Sequence, residues 1–437
     1  MSARTREKYI LAVDFGSAVV RVAVAAISSS GHIQVLCMGE TPTGGAIENG
    51  ILQNRRNAQN VFNQAVISAL GRTGRKPVSV FASAAFIEKV SLIKEGRVQI
   101  HSGVVTSDLL QEARESARQQ CIEPAMCCLR SLTAEEWWID DQRVLNPLGL
   151  RGSILRTRLH FAQIPLMALD NMRALVESDG FQLEDLVFSP IAAALGCITD
   201  EDRAMGVAVI DLGMKHTGLA FYQGSSLRGA SDIDLGVDAI VADLMAATEC
   251  HEPEARSILF EYGLAHALDG LLNNPEDGGI ATVDDLPFVR QQAALSPAVK
   301  LRSANREIDR ATICEIIAAR VDEIFNHILA PIFQDKLQRF SLNRGIVLTG
   351  GGALIPKIAD FVSAKYKIAA RLGRPLEIQG WLPSLQTTAY TPLAGILVHA
   401  AHYEKDRAER VRQEVFGRHE YLDSKFLFRE IKDNEDG

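Results

Sequence analysis

Two short stretches carry residue types suited to phosphate and magnesium. Near the N-terminus, Asp14-Phe15-Gly16-Ser17 is the turn inside the β-rich run Ile10–Ala26. In mid-chain, Asp211-Leu212-Gly213 is the turn inside Gly206–Tyr222, followed by Lys215 and Thr217. Glycine lets backbone N–H groups approach phosphate oxygens. Asp14 and Asp211 are candidates to hold Mg²⁺ through water, and Ser17 and Thr217 are candidate hydrogen-bond donors. A third stretch, Gly345–Ala353, sets Gly350, Gly351 and Gly352 between a buried strand and a helix from about Ile355 to Tyr366. Free N–H groups at that helix start suit an anion. Taken singly, the first two also read as ordinary hairpins and the third as a strand-to-helix turn. Together they are what a two-lobed phosphate-binding protein needs.

The elements that must position these turns follow from hydrophobic period. After the first hairpin, His32–Gly39 continues as a strand, and Thr41–Gly50, with its Pro and Gly residues, reads as a loop. Arg56–Gly71 has helical spacing and Pro77–Phe86 is a strand. Glu88–His160 differs in character and reads as an inserted subdomain. It holds a hairpin (Val90–Ile93, Arg97–His101), a polar helix opened by Thr106-Ser107-Asp108, a strand near Cys127–Leu132, and the loop Asn146-Pro147-Leu148-Gly149-Leu150-Arg151-Gly152. Leu166–Asp179 is an amphipathic helix, and Ser189 caps a helix with Pro190 in its first position. Leu235–Thr248, Glu252–Leu268 and Ile308–Phe333 read as helices. Thr391–His399 is a small-residue helix whose Ala394 and Gly395 allow close packing. From Tyr403 the chain is charged and peripheral.

At 437 residues the chain is too long for one core. A net charge of −8 argues against nucleic-acid binding, which needs a basic surface. The seven cysteines are scattered without a CxxC pair, so a reducing cytoplasm fits best. Cys127-Cys128 is either a redox-active vicinal pair or two small apolar residues beside a strand. No run of about 18 apolar residues exists, so no membrane span is expected. The histidines show no metal-ligand spacing.

Asp14-x-Gly16, Asp211-x-Gly213 with Thr217, and Gly350–Gly352, in that order, resemble the actin, sugar-kinase and heat-shock ATPase superfamily. Within it the chain resembles FtsA, the actin-like bacterial cell-division family, over nearly its whole length. Asn146–Gly152 matches that family's signature Asn-Pro-Val/Ile-Gly-Leu/Met-x-Gly, with Leu148 departing at the third position. Gly44–Leu52, Leu195–Val207 and Gly345–Gly352 are further matching stretches. The resemblance implies an α/β, two-lobed, duplicated ribonuclease H-like fold with an FtsA-type 1C subdomain. By position, subdomain 1A is 1–85, 161–198 and 371–403; 1C is 86–160; 2A is 199–235 and 310–370; 2B is 236–309; a charged tail spans 404–437. It also implies ATP with Mg²⁺ between the lobes, bound through the residues of the three turns.

The departures fall on the ligand side. Val19 stands where the family carries a phosphate-pairing lysine. Met214 and Lys215 replace glycines of the second turn, and Gly218 replaces an acidic residue. The family's double glycine is Gly236-Val237, and Leu259 replaces a lysine near the ribose. Either Lys215 reaches the phosphates and substitutes for the missing cation, or Met214 and Lys215 block the site in a nucleotide-free pseudo-ATPase.

The resemblance further implies attachment of the FtsZ ring to the cytoplasmic face of the inner membrane at the division site. It implies self-association through 1C and recruitment of later division proteins. Lys300, Arg302, Arg306 and Arg310 form a basic run where the acidic FtsZ tail could dock, or a solvated helix start. Tyr421–Lys432 is the candidate amphipathic lipid anchor, though its apolar residues make no clean stripe and acids follow it. A PilM-type adaptor and a sugar or carboxylate kinase are the competing readings; no Asp in an interlobe strand stands out as a kinase base.

Overall fold

The computed structural model describes residues 7–71, 74, 77–85, 91–121, 123, 125–130, 135–264, 298–303, 305–334 and 341–408. The chain begins with an antiparallel meander of β1 (Lys8–Phe15), β2 (Val19–Ile27) and β3 (Ile33–Pro42). Residues 10–15 of β1 are all buried, as an apolar run covered on both faces must be. A small hairpin of β4 (Ile47–Glu48) and β5 (Ile51–Leu52) follows. Its loop, Asn49-Gly50, has φ of 49° and 73°, the left-handed pair of a type I′ turn. The stretch expected to be loop throughout therefore ends in a hairpin. α1 (Arg55–Leu70) packs Phe62, Ala65 and Ala69 onto the meander, and β6 (Ser79–Ala84) joins β1 in parallel.

The inserted block is a second sheet. β7 (Ser91–Gln99) pairs along its whole length with β11 (Ile154–Pro165), which also pairs with β8 (Met126–Arg130) and β9 (Glu136–Ile139). β10 (Gln142–Val144) forms the outer edge on β9. The hairpin expected between Val90 and His101 is instead this single strand, β7. Gly96 is not a turn residue: a Cβ there would collide with the Ala113 carbonyl of α2 (Ser107–Gln119), which lies across the sheet. Thr106 caps α2, its hydroxyl accepting from the Leu109 N–H at 3.4 Å.

α3 (Leu166–Glu177) then leads to β12 (Gln182–Phe188), which completes the first sheet in the order β12-β6-β1-β2-β3. α4 (Ser189–Cys197) is buried at all nine residues. Phe188, not Ser189, occupies its cap position, and Ser189 is its first residue. α5 (Asp200–Met205) opens with a Thr199–Asp202 capping box.

The second lobe repeats the first. β13 (Val207–Leu212), β14 (Thr217–Gln223) and β15 (Ser226–Ile233) form an antiparallel meander. α6 (Val237–Thr248) and α7 (Glu252–Tyr262) follow, then a hairpin of β16 (Ala298–Leu301) and β17 (Arg306–Asp309), and the long α8 (Arg310–Gln334). β18 (Ile346–Thr349) and β19 (Ala370–Leu372) add in parallel beside β13, separated in sequence by α9 (Ile358–Tyr366). The order β15-β14-β13-β18-β19 has the topology of β3-β2-β1-β6-β12.

Between the two sheets lie α4 and a C-terminal helix, α10 (391–408). Ile191 and Leu195 from α4, Leu393, Ile396 and Leu397 from α10, Ile10 and Ala12 from β1, and Val207 and Val209 from β13 share one core. The two helices touch through glycine: a Cβ on Gly395 would strike the Ala192 carbonyl, and one on Gly196 the Thr391 carbonyl. α10 extends through the first residues of the expected tail, where Glu404 holds Lys8 at 2.6 Å. Residues 409–437, including Tyr421–Lys432, lie outside the described residues.

Candidate functional site

Duplication brings two carboxylates together. Asp14 is near the carboxyl end of β1 and Asp211 near that of β13, the position outside a strand end where open α/β sheets take ligands. Each has a hydroxyl residue beside it on the parallel neighbour: Asp14 pairs in register with Ser83, and Asp211 with Thr349. The Ser83 hydroxyl donates to Asp14 Oδ1 at 2.8 Å. Thr349 instead donates to the Thr388 carbonyl at 2.9 Å, which ties the third turn to the start of α10.

A cleft of ≈ 270 Å³ opens over both carboxylates. The first turn contributes Gly16, Ser17 and Ala18; the second contributes Gly213, Met214 and His216; the third contributes Gly350, Gly351 and Gly352. Gly350 needs its φ of 82°, and a Cβ there would strike the Asp211 carboxylate. Eight of the residues expected from spacing thus meet in one place: Asp14, Gly16, Ser17, Asp211, Gly213, Gly350, Gly351 and Gly352.

Lys215, Thr217 and Gly236 do not line it. Thr217 is buried, its hydroxyl donating to the Leu235 carbonyl at 2.6 Å. Gly236 packs beneath the second turn, where a Cβ would meet the Met214 carbonyl. Lys215 turns sideways to Glu48 and Asp238, each at 3.5 Å. Met214 is therefore the replacement that faces the cleft. Gly218 has no room for an acid, because a Cβ would strike Pro190.

Three basic residues at the cleft escaped the spacing argument. Arg21 lies two positions along β2 from Val19, hence on the same face of the strand. Its guanidinium sits 3.9 Å from Asp14 and stacks over the Tyr390 ring at 4.9 Å. The alternation of β2 carried that signal. On α7 the side chain facing the cleft is Arg256, not Leu259, which is buried in the lobe core. Arg256 is held by Asp238 at 2.6 Å and by Glu252. Phe260, one turn further along α7, lines the same wall.

The third is His216, whose Nδ1 lies 3.2 Å from Asp232 on β15. Burial pushes its pKa down, but the carboxylates of Asp232, Asp211 and Asp14 more than offset this and raise it to about 9. Burial, reinforced by Asp14 and Asp232, lifts Asp211 to about 7 against the opposing pull of His216 and Arg21. Burial also raises Asp14, opposed by Arg21, Ser83 and His216. Two buried carboxylates that resist ionisation beside each other are a donor set whose charge Mg²⁺ would relieve. Asp14 and Asp211 would hold the ion. It would neutralise phosphate charge there, while the turn backbones would position the phosphates.

The basic run lies apart from the cleft. Lys300 is exposed on β16 opposite Glu307, while Arg306 is opposite the buried Leu301, on the other face of the hairpin. Arg306 reaches Glu249 at 3.8 Å, and Arg310 stacks on Tyr262 at 5.4 Å. Glu254 accepts from the Arg302 N–H at 2.6 Å. The four therefore do not form one continuous basic face. Among the described residues no helix is long and apolar enough to cross a membrane.

No family profile matches the chain. Curated proteins named cell division protein FtsA do. The one from Neisseria meningitidis serogroup B is 26% identical over 397 residues, covering 91% of each chain. That of Escherichia coli K12 is 24% identical over 410 residues, covering 92% of this chain and 91% of its own. That of Borreliella burgdorferi is 24% identical over 379 residues, covering 85% and 86%. Among solved structures, the PilM-PilN type IV pilus biogenesis complex superposes with a TM-score of 0.60 at 12% identity, covering 90% of this chain and 98% of that one. MreB5 of Spiroplasma citri bound to ADP gives 0.50 at 11%, covering 91% and 98%. At such identities these two show the fold alone, and that fold is actin-like.

Proposed function

From a chain similar along nine tenths of its length to cell division protein FtsA, and folded like actin, we propose a cytoplasmic adaptor of bacterial cell division. It links the FtsZ ring to the cytoplasmic face of the inner membrane at the division site and helps recruit later division proteins. ATP with Mg²⁺ occupies the cleft as an assembly ligand, and turnover is slow or absent. The observation that carries this reading is the convergence of Asp14-x-Gly16, Asp211-x-Gly213 and Gly350–Gly352 on one cleft.

In this reading the exposed loop Asn146–Gly152, with Leu145 fully open to solvent, serves self-association of the inserted subdomain. The surface around β16 and β17 receives the acidic FtsZ tail through Lys300 and Arg302, the residues turned outward. The segment after residue 408 supplies the lipid contact.

Calorimetry of the full chain with Mg·ATP tests the cleft. We expect binding at micromolar concentrations, weakened at least tenfold in Asp14→Asn, where one carboxylate for the metal is lost. No heat and no thermal shift at millimolar Mg·ATP would leave an adaptor whose actin-like fold is scaffold only. Pelleting with FtsZ filaments, compared with Lys300→Glu/Arg302→Glu, tests the partner reading.

A further inference from the structure

The Asn-Gly hairpin of β4 and β5 lies beside the cleft and meets it at Ser17, which lines it. Its root belongs to the first lobe: Ala46 and Ile47 are buried in that lobe's outer core. Its tip reaches the second lobe. Glu48 Oε1 lies 3.5 Å from Lys215 Nζ, and Lys215 also meets Asp238 of its own lobe at 3.5 Å. The Asn49 amide donates to Asp234 Oδ1 at 3.0 Å. The Asn49 N–H donates to the Ser17 hydroxyl at 3.0 Å. One turn of chain thus engages the hydroxyl of the first phosphate turn and the lysine of the second.

We propose that this hairpin is a strap that holds the lobes together when the cleft is empty, and that it must release Lys215 and Asp234 to admit a nucleotide. A ligand held by turns of both lobes would tie them to each other. Here Glu48, Asn49, Lys215 and Asp234 make that tie from within the chain. Ligand and strap then compete, because Ser17, a candidate donor to the phosphates, is engaged by Asn49. The competition rests on the cleft being a nucleotide site; the strap itself does not.

Amide hydrogen exchange on the full chain without ligand tests the strap. Glu48→Gln is isosteric, and Asn49→Gly keeps the left-handed turn while removing the amide. Exposed ion pairs and single hydrogen bonds have modest net strength, so we expect exchange at the turns 16–18 and 213–216 to rise about threefold in Glu48→Gln and about tenfold in the double variant. Lys215→Gln, on the opposite lobe, must reproduce the Glu48→Gln increase and add little to it. Unchanged exchange in the double variant overturns the strap. Mg·ATP affinity measured on the same proteins should rise severalfold in the double variant. Equal affinity in both overturns the competition. Faster exchange with no ATP binding to either protein keeps the strap and removes the nucleotide reading instead.

Discussion

His160 shows how one side chain writes a pH dependence into the fold. It sits on β11, 1% exposed. Burial pushes its pKa from 6.5 down to about 3. Between those values the unfolded chain holds a proton that the folded chain lacks. Stability is therefore full above pH 6.5 and falls as pH drops towards 3. From pH 6.5 to pH 5 the expected loss is about 2 kcal/mol. Urea midpoints across that range should show the slope in the native chain and a shallower one in His160→Leu. The cleft teaches a related lesson in reading residues. Asp14, Asp211 and the glycines were legible because their spacing announces a turn. Arg21 and His216 were not, because a cation's role there depends on which neighbours the folded strands bring beside it. His216 meets its partner Asp232 only once β15 has folded back beside β14.

At the scale of elements, the paired meanders and the strand–glycine–helix unit were readable from period and turn chemistry. The failures have physical causes. Gly96 reads as a turn signal in a polar stretch, yet its missing Cβ admits a helix rather than a bend. Asn49-Gly50 is a strong hairpin signal, but its strands are two residues each, too short to show alternation. Gly395, by contrast, was correctly legible as a packing residue. Its partner is Gly196 on α4, and the two helices meet backbone to backbone. Gly395→Ala should therefore cost about 1–3 kcal/mol or more, since neither carbonyl can retreat without moving a helix. Thermal unfolding followed by circular dichroism would register the loss. At Gly149 a Cβ would meet nothing within 4 Å, so a substitution there meets only the strain of its φ of 78°, a milder cost that any L residue bears.

For the whole molecule, two copies of one sheet topology enclose a core of their own making. The inserted sheet belongs in sequence to the first lobe but also touches the second. Arg143 on β10 donates to Ser226 on β15 at 3.2 Å, and Arg228 lies 3.8 Å from Glu136 on β9. A movement of one lobe against the other must therefore disturb both the strap and this second contact.

The placement of α10 also sets an order of events in synthesis. Leu393, Ile396, Leu397 and Ala400 fill the space between β1 and β13, strands made far earlier in the chain. Until a ribosome has released residue 401, the middle of the protein has apolar walls and only α4 between them. Such distant pairing delays folding and leaves sticky surface exposed meanwhile. Chains stalled at residue 390 should be cut readily by protease and held by chaperones, whereas chains stalled well past residue 408 should resist. Resistance already at 390 would mean the lobes close without α10. This helix, far along the sequence from the first two ligand turns, thus acts as the chain's own signal that assembly can begin.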